Sequence, residues 1–452
     1  MDSNNRTYLF QQLPVPQAVF KQVFPAVISQ MIALVYSLAD TYFVGMLNHP
    51  QQTAAITVVY PSFVMLTAVS NLFGVGGASL IAQKLGKQKP QDAKEISAIS
   101  FWPGLICALL FSLVFLLLAP KILSLCGATA ETYPYAYAYA RWAVVLGGPF
   151  VIGNTLLANL IRAEGRGAEA SFGVSLGGIL NIALDPIFIL PRFLGMGVVG
   201  AGVATALSNF VSVAYFLLYL RQQKEGAILQ IRPVYLQHTA IYLKSILAIG
   251  FPSALQYGLT VVAVAAQANF VAKYPTEAVA ALGIVKKLDQ LPLYFSIGVS
   301  GGLLPLLAYY YGAGNHVRRK QVFRLGCGIS FGFAMLCLLI YEGFAPQLSA
   351  LFIADAQTIA YSSSFLRRMV TAMPFMAICY PMIIQFQAMG QVREALIVSI
   401  LRKGILDIPL LFLLDGLMPL YGCMWVQPTV DCISLIAAIS LYRRLKLLPQ
   451  QP

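Results

Sequence analysis

The sequence predicts an all-α membrane protein whose twelve transmembrane helices form two six-helix lobes, related by a pseudo-two-fold axis along the membrane normal. Three observations lead to this fold class. First, 58% of the 452 residues are apolar and only 10% are charged, whereas a soluble protein carries about 25% charged residues. Second, apolar segments of membrane-spanning length recur along the whole chain. Third, the second half of the chain repeats the plan of the first.

A helix needs about 20 apolar residues to cross the hydrocarbon core of a bilayer. Polar, glycine and proline residues divide the chain into twelve such segments, here called span 1 to span 12 in chain order. They cover approximately 22–47, 53–80, 94–118, 133–158, 168–190, 198–220, 241–270, 278–306, 322–344, 361–388, 394–416 and 418–442. So little chain lies outside the spans that a soluble enzyme and a disordered scaffold are both excluded, and no enzymatic activity is predicted.

The distribution of basic residues predicts the orientation of the spans. With the N-terminus inside, twenty of the 30 Lys and Arg fall on the cytoplasmic side, including Arg6 and Lys224. Only Lys121, Arg192 and Lys273 fall on the opposite side, and the others lie in or at the edges of spans. Cytoplasmic loops of membrane proteins carry such an excess. Both termini are therefore predicted to be cytoplasmic, and the net charge of +13 needs no nucleic-acid partner.

The chain contains an internal repeat with an almost constant offset. At an offset of 227, Phe24-Pro25 matches Phe251-Pro252 and Phe43-Val44 matches Phe270-Val271. At an offset of 225, Ala163, Gly165 and Ala170 match Ala388, Gly390 and Ala395. Chance similarity between apolar helices is the alternative, but it would not keep nearly one offset over so long a stretch.

The repeat divides the chain into an N-terminal lobe, 1–220, and a C-terminal lobe, 241–452, joined by a cytoplasmic connection at 221–240. Because each lobe has an even number of spans, both lobes keep the same orientation, and the axis that relates them runs along the membrane normal. Paired lobes of this kind are typical of secondary transporters, which rock one lobe against the other around a site near the bilayer midplane.

Two acidic residues lie inside apolar spans of the N-terminal lobe, Asp40 in span 1 and Asp185 in span 5. An ionisable side chain at that depth costs about 2.5–3.5 kcal/mol, and no Lys or Arg lies at a comparable depth in spans 1, 2, 5 or 6. Asn181, four residues before Asp185, projects from the same helix face, and Thr205 adds a hydroxyl from span 6. These oxygen ligands suit a small cation; the alternative is that the two carboxylates share a proton.

Structural roles for the two carboxylates are the alternative. Asp185 precedes Pro186 and could cap a broken helix, and Asp40 could serve a neighbouring hydroxyl. The repeat argues against a general structural need, because Asp40 aligns with Gln267 and Asp185 aligns near Leu410. The carboxylates are therefore interpreted as a specialisation of the N-terminal lobe.

Pro25 lies in the first third of span 1, where a proline removes a helical hydrogen bond and can kink the helix. A bend there would move Asp40 relative to Asp185. A fixed structural kink, shared with Pro252, is the alternative.

The C-terminal lobe has a different set of buried charges. Mutual ion pairing is predicted for most of them, because basic and acidic residues occur close together; a contact of Asp289 or Asp407 with a cationic substrate is the alternative. The set is Lys286, Lys287 and Asp289 in span 8, Arg402, Lys403 and Asp407 in span 11, and Asp431 in span 12.

Four blocks of sequence resemble the multidrug and toxic compound extrusion (MATE) family, and its prokaryotic DinF-like and MepA-like members more than the NorM type. The blocks are the segment from Phe24-Pro25 to Ser37-Leu-Ala-Asp40-Thr-Tyr-Phe-Val-Gly45, the turn Ala163-Glu-Gly165, Asn181-Ile-Ala-Leu-Asp185-Pro186 and Gly200-Ala-Gly-Val-Ala-Thr205. The resemblance implies a multidrug efflux antiporter that exports cationic amphipathic compounds in exchange for sodium ions or protons by alternating access. It also implies a lipid-embedded monomer of the bacterial plasma (inner) membrane that needs no cofactor.

The resemblance also implies site residues. The family's Asp on helix 1, its Asn and Asp one turn apart on helix 5 and its Thr on helix 6 correspond to Asp40, Asn181, Asp185 and Thr205, which would bind sodium if the protein is sodium-coupled. Residues expected to line the substrate cavity are Tyr36, Tyr139, Asn154, Gln267 and Asp289. The acidic residue that the NorM type carries on helix 7 has no counterpart in span 7, so a C-lobe cation site of that type is not expected.

A lipid or lipid-linked oligosaccharide flippase of the same superfamily is the alternative function. Such a protein is expected to have a strongly basic central cavity, and only Lys286, Lys287, Arg402 and Lys403 are available to form one. Neither the substrate nor the choice between sodium and proton follows from the sequence.

Overall fold

The structure, a computed structural model, describes residues 8–223 and 228–447. Arg6 and Lys224, two of the basic residues that predict the orientation, lie outside this part of the chain. Within it all regular structure is helical. Ten helices are long and apolar enough to cross a membrane, and a pair of helices bent by 44° forms an eleventh span.

The first six spans have short connections. Span 4 is the bent pair, in which Tyr133–Ala140 and Gly148–Ala163 are joined by the π-helical turn Arg141–Leu146. The second helix of the pair begins with Pro149 in its first turn, where the missing proline N–H leaves no helical hydrogen bond unmade. The other five are Val15–Gly45, Pro50–Gly86, Pro90–Leu125, Gly167–Ile189 and Val198–Arg221.

The second half follows the same order after a connection that leaves Arg221 and re-enters at Thr239. Span 10 consists of Ala356–Met369 and Met373–Ala388, joined by one 3₁₀ turn, and is continuous enough to cross the membrane as one element. Spans 7, 8, 9 and 12 are Thr239–Val271, Thr276–Gly312, His316–Ala350 and Gly422–Leu447.

Span 11 differs from the single helix predicted over 394–416. It is broken into Val392–Ile400 and Asp407–Leu417, and Lys403 and Gly404 between them leave the helical region. Gly404 has φ of +149°, which glycine adopts without steric cost, and its N–H donates to Oδ2 of Asp407 at 2.9 Å. The prediction of an uninterrupted helix was therefore wrong. Nothing in the sequence indicated the break, because the apolar pattern continues across it.

Span 1 keeps its helix from Val15 to Gly45 with Pro25 inside it, and span 7 does the same around Pro252. Span 1 packs along span 5 of its own half and along span 8 of the other half. Asp40 therefore lies on a helix that contacts both halves of the molecule.

The two halves meet through glycine-lined backbone contacts. Span 2 packs along span 7, where Gly76 lies against the carbonyl of Ile246 and Gly250 lies against the carbonyl of Leu72. A Cβ atom at either glycine would overlap that carbonyl. Small residues let membrane helices approach this closely, and the packing then replaces contacts with lipid.

These inter-half contacts lie toward the side predicted to be cytoplasmic. Close to them, Ser79 Oγ donates to the carbonyl of Gln387 at 2.8 Å and Gln83 Nε2 donates to the carbonyl of Ala388 at 3.0 Å. Nearer the other side, Tyr60 of span 2 is exposed although it lies within electrostatic range of tyrosines in spans 7 and 8. The halves are thus joined by close backbone contacts toward the predicted cytoplasmic side, and the region between them around exposed Tyr60, nearer the other side, is here called the cleft.

Candidate ion-coupling site

Spans 1 and 5 run side by side in a register set by a glycine. A Cβ atom at Gly178 would lie 2.7 Å from Ile32 and 3.4 Å from the ring of Tyr36, so span 1 crosses span 5 at this point. The two helices run in the same direction, and Asp40 lies two turns beyond Ile32. This register brings Asp40 level with Asp185, and the two carboxylates are close enough for their charges to interact.

Span 6 completes the site from the other side of span 5. The two spans are antiparallel, and a Cβ atom at Gly177 would meet the side chain of Ser212 and, at 3.1 Å, the carbonyl of Ser208. One turn further along span 5 is Asn181, and one turn earlier along span 6 is Thr205. The structure therefore brings the four predicted coupling residues into one region of the N-terminal lobe.

Several polar atoms of this region have no hydrogen-bond partner in the structure. Asp185 is fully buried and Asn181 is 2% exposed, yet both carboxylate oxygens of Asp185 and both amide atoms of Asn181 are unpaired. One oxygen of Asp40 is also buried without a partner. Since buried polar groups in proteins are almost always hydrogen-bonded, this concentration of unpaired atoms marks a place for a ligand.

The structural alternatives for the two carboxylates have different outcomes. The helix of span 5 continues past Pro186 to Ile189, and Asp185 makes no capping hydrogen bond, so the cap interpretation is wrong. For Asp40 the neighbouring hydroxyl exists and belongs to Tyr139. That contact leaves the second oxygen of Asp40 unpaired, so the hydroxyl does not fully account for this carboxylate.

Two tyrosines border the carboxylates. Tyr139 is buried on span 4 and its ring lies beside Gly202 of span 6. Tyr36 is half-buried on span 1, and both hydroxyls are within electrostatic range of Asp40 and Asp185. Both predicted cavity tyrosines therefore lie next to the predicted coupling residues.

Asn154 reaches the same region through a residue that the sequence did not indicate. Its Nδ2 donates to Oδ1 of Asn209 at 2.9 Å, and Nδ2 of Asn209 donates to the backbone carbonyl of Thr205 at 2.9 Å. Oδ1 of Asn154 is buried and unpaired. The signal in the sequence was the spacing of Asn209 four residues after Thr205, which places both on one face of span 6.

Gln267 and Asp289, the other two predicted cavity residues, lie in the C-terminal lobe and not with the N-lobe group. Gln267 donates to the carbonyl of Cys423 at 2.9 Å and lines a pocket of about 10 Å³, room for roughly one water molecule. Lys286 and Asp407 line the same pocket. Asp289 is half-buried within electrostatic range of Lys286.

The prediction of ion pairing among the C-lobe charges is confirmed for one pair. Arg402 and Asp431 are both buried, and Nε of Arg402 lies 2.9 Å from Oδ1 of Asp431. Gln427 donates to the other oxygen of Asp431 at 2.7 Å and accepts from Lys403. For Lys286, Lys403 and their acidic neighbours the prediction was wrong, because no carboxylate lies within 4 Å of either ammonium group among the described residues. Lys403, at the helix break, donates instead to the side-chain amide oxygen of Gln427.

A group of cleft tyrosines was missed by sequence reasoning, which singled out only Tyr36. Tyr294 of span 8 is within electrostatic range of four others from spans 1, 2, 7 and 10. The cleft tyrosines are Tyr36, Tyr60, Tyr257, Tyr294 and Tyr380.

Comparison with known proteins gives matches over the whole chain. The model of the MatE family matches residues 25–187 and again 252–413, once in each half. The multidrug export protein MepA of Staphylococcus saprophyticus is 29% identical over 436 residues, which are 96% of this chain and 95% of the relative. MepA of Staphylococcus haemolyticus is 29% identical over 444 residues, 98% of this chain and 96% of the relative.

Solved structures share the fold at similar coverage. A structure described as the outward-facing conformation of a multidrug resistance MATE family transporter of the MOP superfamily superposes with a TM-score of 0.91 and 24% identity, covering 99% of this chain and 98% of that one. A MATE structure in complex with MaL6 gives a TM-score of 0.90 and 24% identity, with 98% of each chain covered. These likenesses confirm the two-lobe, twelve-helix fold.

Proposed function

Because the chain belongs to the MATE family of membrane transporters, we propose that it is a multidrug efflux antiporter that exports cationic amphipathic organic compounds in exchange for sodium ions or protons. The MepA relatives are named multidrug export proteins and match over nearly their full length, which supports efflux.

The observation that carries the antiport proposal is the set of unpaired polar atoms on Asp40, Asn181 and Asp185. The two carboxylates are within electrostatic range of each other, and no basic side chain in the described part of the chain is paired to either. They therefore repel when both are charged. A sodium ion between them, or protons on them, removes this repulsion and satisfies the oxygens. The site therefore favours a small cation as co-substrate.

Coupling requires only that ion and drug prefer different conformations. Asp40 lies on span 1, which packs against span 5 in its own half and span 8 in the other. A cation that draws Asp40 toward Asp185 therefore acts on a helix that also contacts the opposite lobe. We expect ion binding to shift the balance between the two cleft openings and to lower the affinity for drug on the outward side.

The cleft tyrosines support an organic cation as the exported substrate. Aromatic faces attract cations, with about 0.5–2 kcal/mol for each favourable contact. Tyr36 belongs both to this group and to the surroundings of the carboxylates. A cation in the cleft would thus be held near the residues that bind the co-substrate, which is the arrangement that competition between the two requires.

The surroundings of the C-lobe charges favour this proposal over a flippase. Arg402 is held by Asp431 and faces the ring of Tyr380 at 4.2 Å, and Lys403 is hydrogen-bonded to Gln427. Lys286 lines a pocket with room for about one water molecule. These basic groups do not form the open basic cavity that a pyrophosphate headgroup would need.

We further propose a monomer in the bacterial plasma membrane with both termini in the cytoplasm. The excess of basic residues in the predicted cytoplasmic connections supports this orientation. In that orientation the close backbone contacts between the halves, at Gly76 and Gly250, lie toward the cytoplasm.

The test is uptake of a fluorescent organic cation into reconstituted vesicles under a sodium gradient or a proton gradient, imposed separately. We expect one of the two gradients to drive transport, and Asp40→Asn and Asp185→Asn each to abolish the gradient-driven component. Glu131→Gln, at an exposed acidic residue between spans 3 and 4, is the matched control and should transport normally. Each variant is first checked for a monodisperse elution profile and native helical content.

The outcomes separate the possibilities. Transport under neither gradient, with the wild type folded, would contradict antiport, and uptake of a fluorescent phospholipid instead would favour the flippase. Full gradient-driven transport by folded Asp185→Asn would show that this carboxylate does not couple.

A further inference from the structure

A second cavity lies at the outer end of the C-terminal lobe, away from both the N-lobe carboxylates and the cleft tyrosines. Its volume is about 500 Å³. It is formed by one face of span 10 together with one residue at the start of span 12. The lining residues are Ala360, Ser363, Ser364, Arg367, Arg368 and Trp425.

The cavity is on the side of span 10 that faces away from the lobe core. Phe365, Leu366 and Met369 of the same helix are buried against other helices of the lobe. Ala360 and Arg367 lie on the opposite face and are exposed. The cavity therefore opens toward the surroundings of the lobe, and a ligand could reach it without entering the lobe interior.

In the predicted orientation the cavity lies at the depth of the outer boundary of the membrane. Arg368 precedes Ala388, the cytoplasmic end of span 10, by 20 residues, which is about 30 Å of helix. The hydrocarbon core of a bilayer is also about 30 Å thick. Trp425 and Tyr421 lie at the outer start of span 12, where aromatic residues commonly mark the membrane–water interface.

The two arginines have no acidic partner. Nε of Arg367 donates to the backbone carbonyl of Glu342 at 3.3 Å. Arg368 donates to the carbonyl of Ser364 at 2.8 Å and to its hydroxyl, and its guanidinium faces the ring of Tyr421 at 4.4 Å. No carboxylate lies within 4 Å of either guanidinium in residues 8–223 and 228–447, so two adjacent positive charges remain uncompensated.

We propose that this cavity binds the phosphate group of an anionic phospholipid from the outer leaflet. Guanidinium groups bind phosphate through paired, charge-assisted hydrogen bonds. Among the described residues, Arg367 uses only its Nε, so its terminal N–H groups are free to donate. The hydroxyl of Ser364, which accepts from Arg368, offers a further donor, whereas the hydroxyl of Ser363 already donates to the carbonyl of Ile359 at 2.7 Å. The indole of Trp425 provides an apolar wall for the glycerol and upper acyl region, with an N–H at its polar edge.

The position of the arginines supports a lipid over other anions. Basic residues are scarce on the predicted outer side of this protein, and two adjacent ones occur where lipid phosphates lie. An anionic headgroup that stays in this cavity would stabilise span 10 against spans 9 and 12, since the arginines are already attached to those spans at Glu342 and Tyr421. This lipid site does not depend on the proposed antiport, because it lies outside the cleft.

The test uses the full chain purified in detergent, titrated with short-chain phosphatidylglycerol and followed by native mass spectrometry. We expect Arg367→Gln/Arg368→Gln to lower the affinity for the tightest-bound phosphatidylglycerol at least tenfold. Arg192→Gln is the matched control, since Arg192 is an exposed arginine on the same side but lines no part of the cavity, and it should bind as the wild type does. Arg367→Gln alone, which leaves the contact of Arg368 with Tyr421 in place, covers the case in which the double variant does not fold and should also weaken binding.

A second arm separates lipid from free anion. Inorganic phosphate at millimolar concentration should not displace phosphatidylglycerol, and a neutral diacylglycerol of the same chain length should not bind at this affinity. Equal phosphatidylglycerol binding by the wild type and the Arg367→Gln variant would overturn the proposal. Displacement by inorganic phosphate alone would also overturn it, in favour of a site for a soluble anion.

Discussion

The ring of Phe10 stacks on the ring of Tyr309, with 4.2 Å between their centroids, and so joins the segment before span 1 to span 8 of the other half. Phe10 is fully buried within the π-helical turn Tyr8–Gln12. Arg318, at the start of span 9, donates to the carbonyls of Phe10 and Gln11 at 3.2 and 2.6 Å. This segment fastens the two halves together on the predicted cytoplasmic side.

We expect Phe10→Ala to loosen that closure. Loss of a buried phenylalanine ring costs about 3–5 kcal/mol, and part of this loss falls on the contact between halves. The variant should have a lower Tm and a larger distance between spin labels placed on the cytoplasmic ends of spans 2 and 8. Phe20→Ala, at a residue of span 1 that is 61% exposed, should change neither; an unchanged distance in Phe10→Ala would contradict the prediction.

The buried pair Arg402–Asp431 should behave as a unit. Removing one partner leaves an uncompensated charge in a dry environment, and Arg402→Met alone is expected to cost about 3–5 kcal/mol of stability. Arg402→Met/Asp431→Leu should recover much of the loss, because no charge is then left unpaired. Thermal unfolding of the wild type, both single variants and the double variant gives the coupling energy. Additive effects of the two substitutions would show that the pair is not energetically coupled.

Gly250→Ala should prevent the close approach of spans 7 and 2. A Cβ atom there would overlap the carbonyl of Leu72, and backbone atoms in a packed interface cannot move away as a side chain can. We expect lower stability and loss of the closed cytoplasmic side, measured by labelling of a cysteine placed at Ser79. Gly283→Ala is the control, because its Cβ would meet nothing within 4 Å, and it should be neutral or slightly stabilising. Equal behaviour of the two variants would contradict the packing argument.

Asp355, between spans 9 and 10, should give the protein an acid-sensitive contribution to stability. Its carboxylate accepts from the backbone N–H and the hydroxyl of Thr358, both at 2.7 Å, and these hydrogen bonds hold the pKa of Asp355 below its usual 3.8. Because the folded state lowers the pKa, the contribution is present above about pH 4 and is lost as the pH falls through the lowered value. Asp355→Asn should therefore flatten the decrease of Tm between about pH 5 and pH 3, whereas Glu131→Gln should leave it unchanged. A parallel decrease in both variants would contradict this assignment.

Hydropathy and repetition predicted the positions of the spans well, but they did not predict a helix break that depends on backbone conformation. The break in span 11 depends on a positive φ at Gly404 and on the Asp407 hydrogen bond, neither of which alters the apolar pattern. Asn209 and the cleft tyrosines were missed because a single amide or ring in an apolar helix carries no sign of which neighbour it faces. The charged residues were found because a charge in the membrane interior is energetically costly, so each one within an apolar span stands out in the sequence.

The sequence by itself determined that the protein lies in lipid, the order of its spans, the repetition of one plan in two halves and the placement of Asn181 and Asp185 on one helix face. These properties follow from the length of the apolar segments, the repeat offset and the 3.6-residue helical period, all of which are visible along the sequence without knowledge of how the helices pack. Only the tertiary structure decided that Asp40, some 140 residues earlier in the chain, comes within electrostatic range of Asp185. The physical reason is interhelical register: Gly178 lets span 1 approach span 5 at Ile32, and a contact between distant helices depends on the shapes of both surfaces.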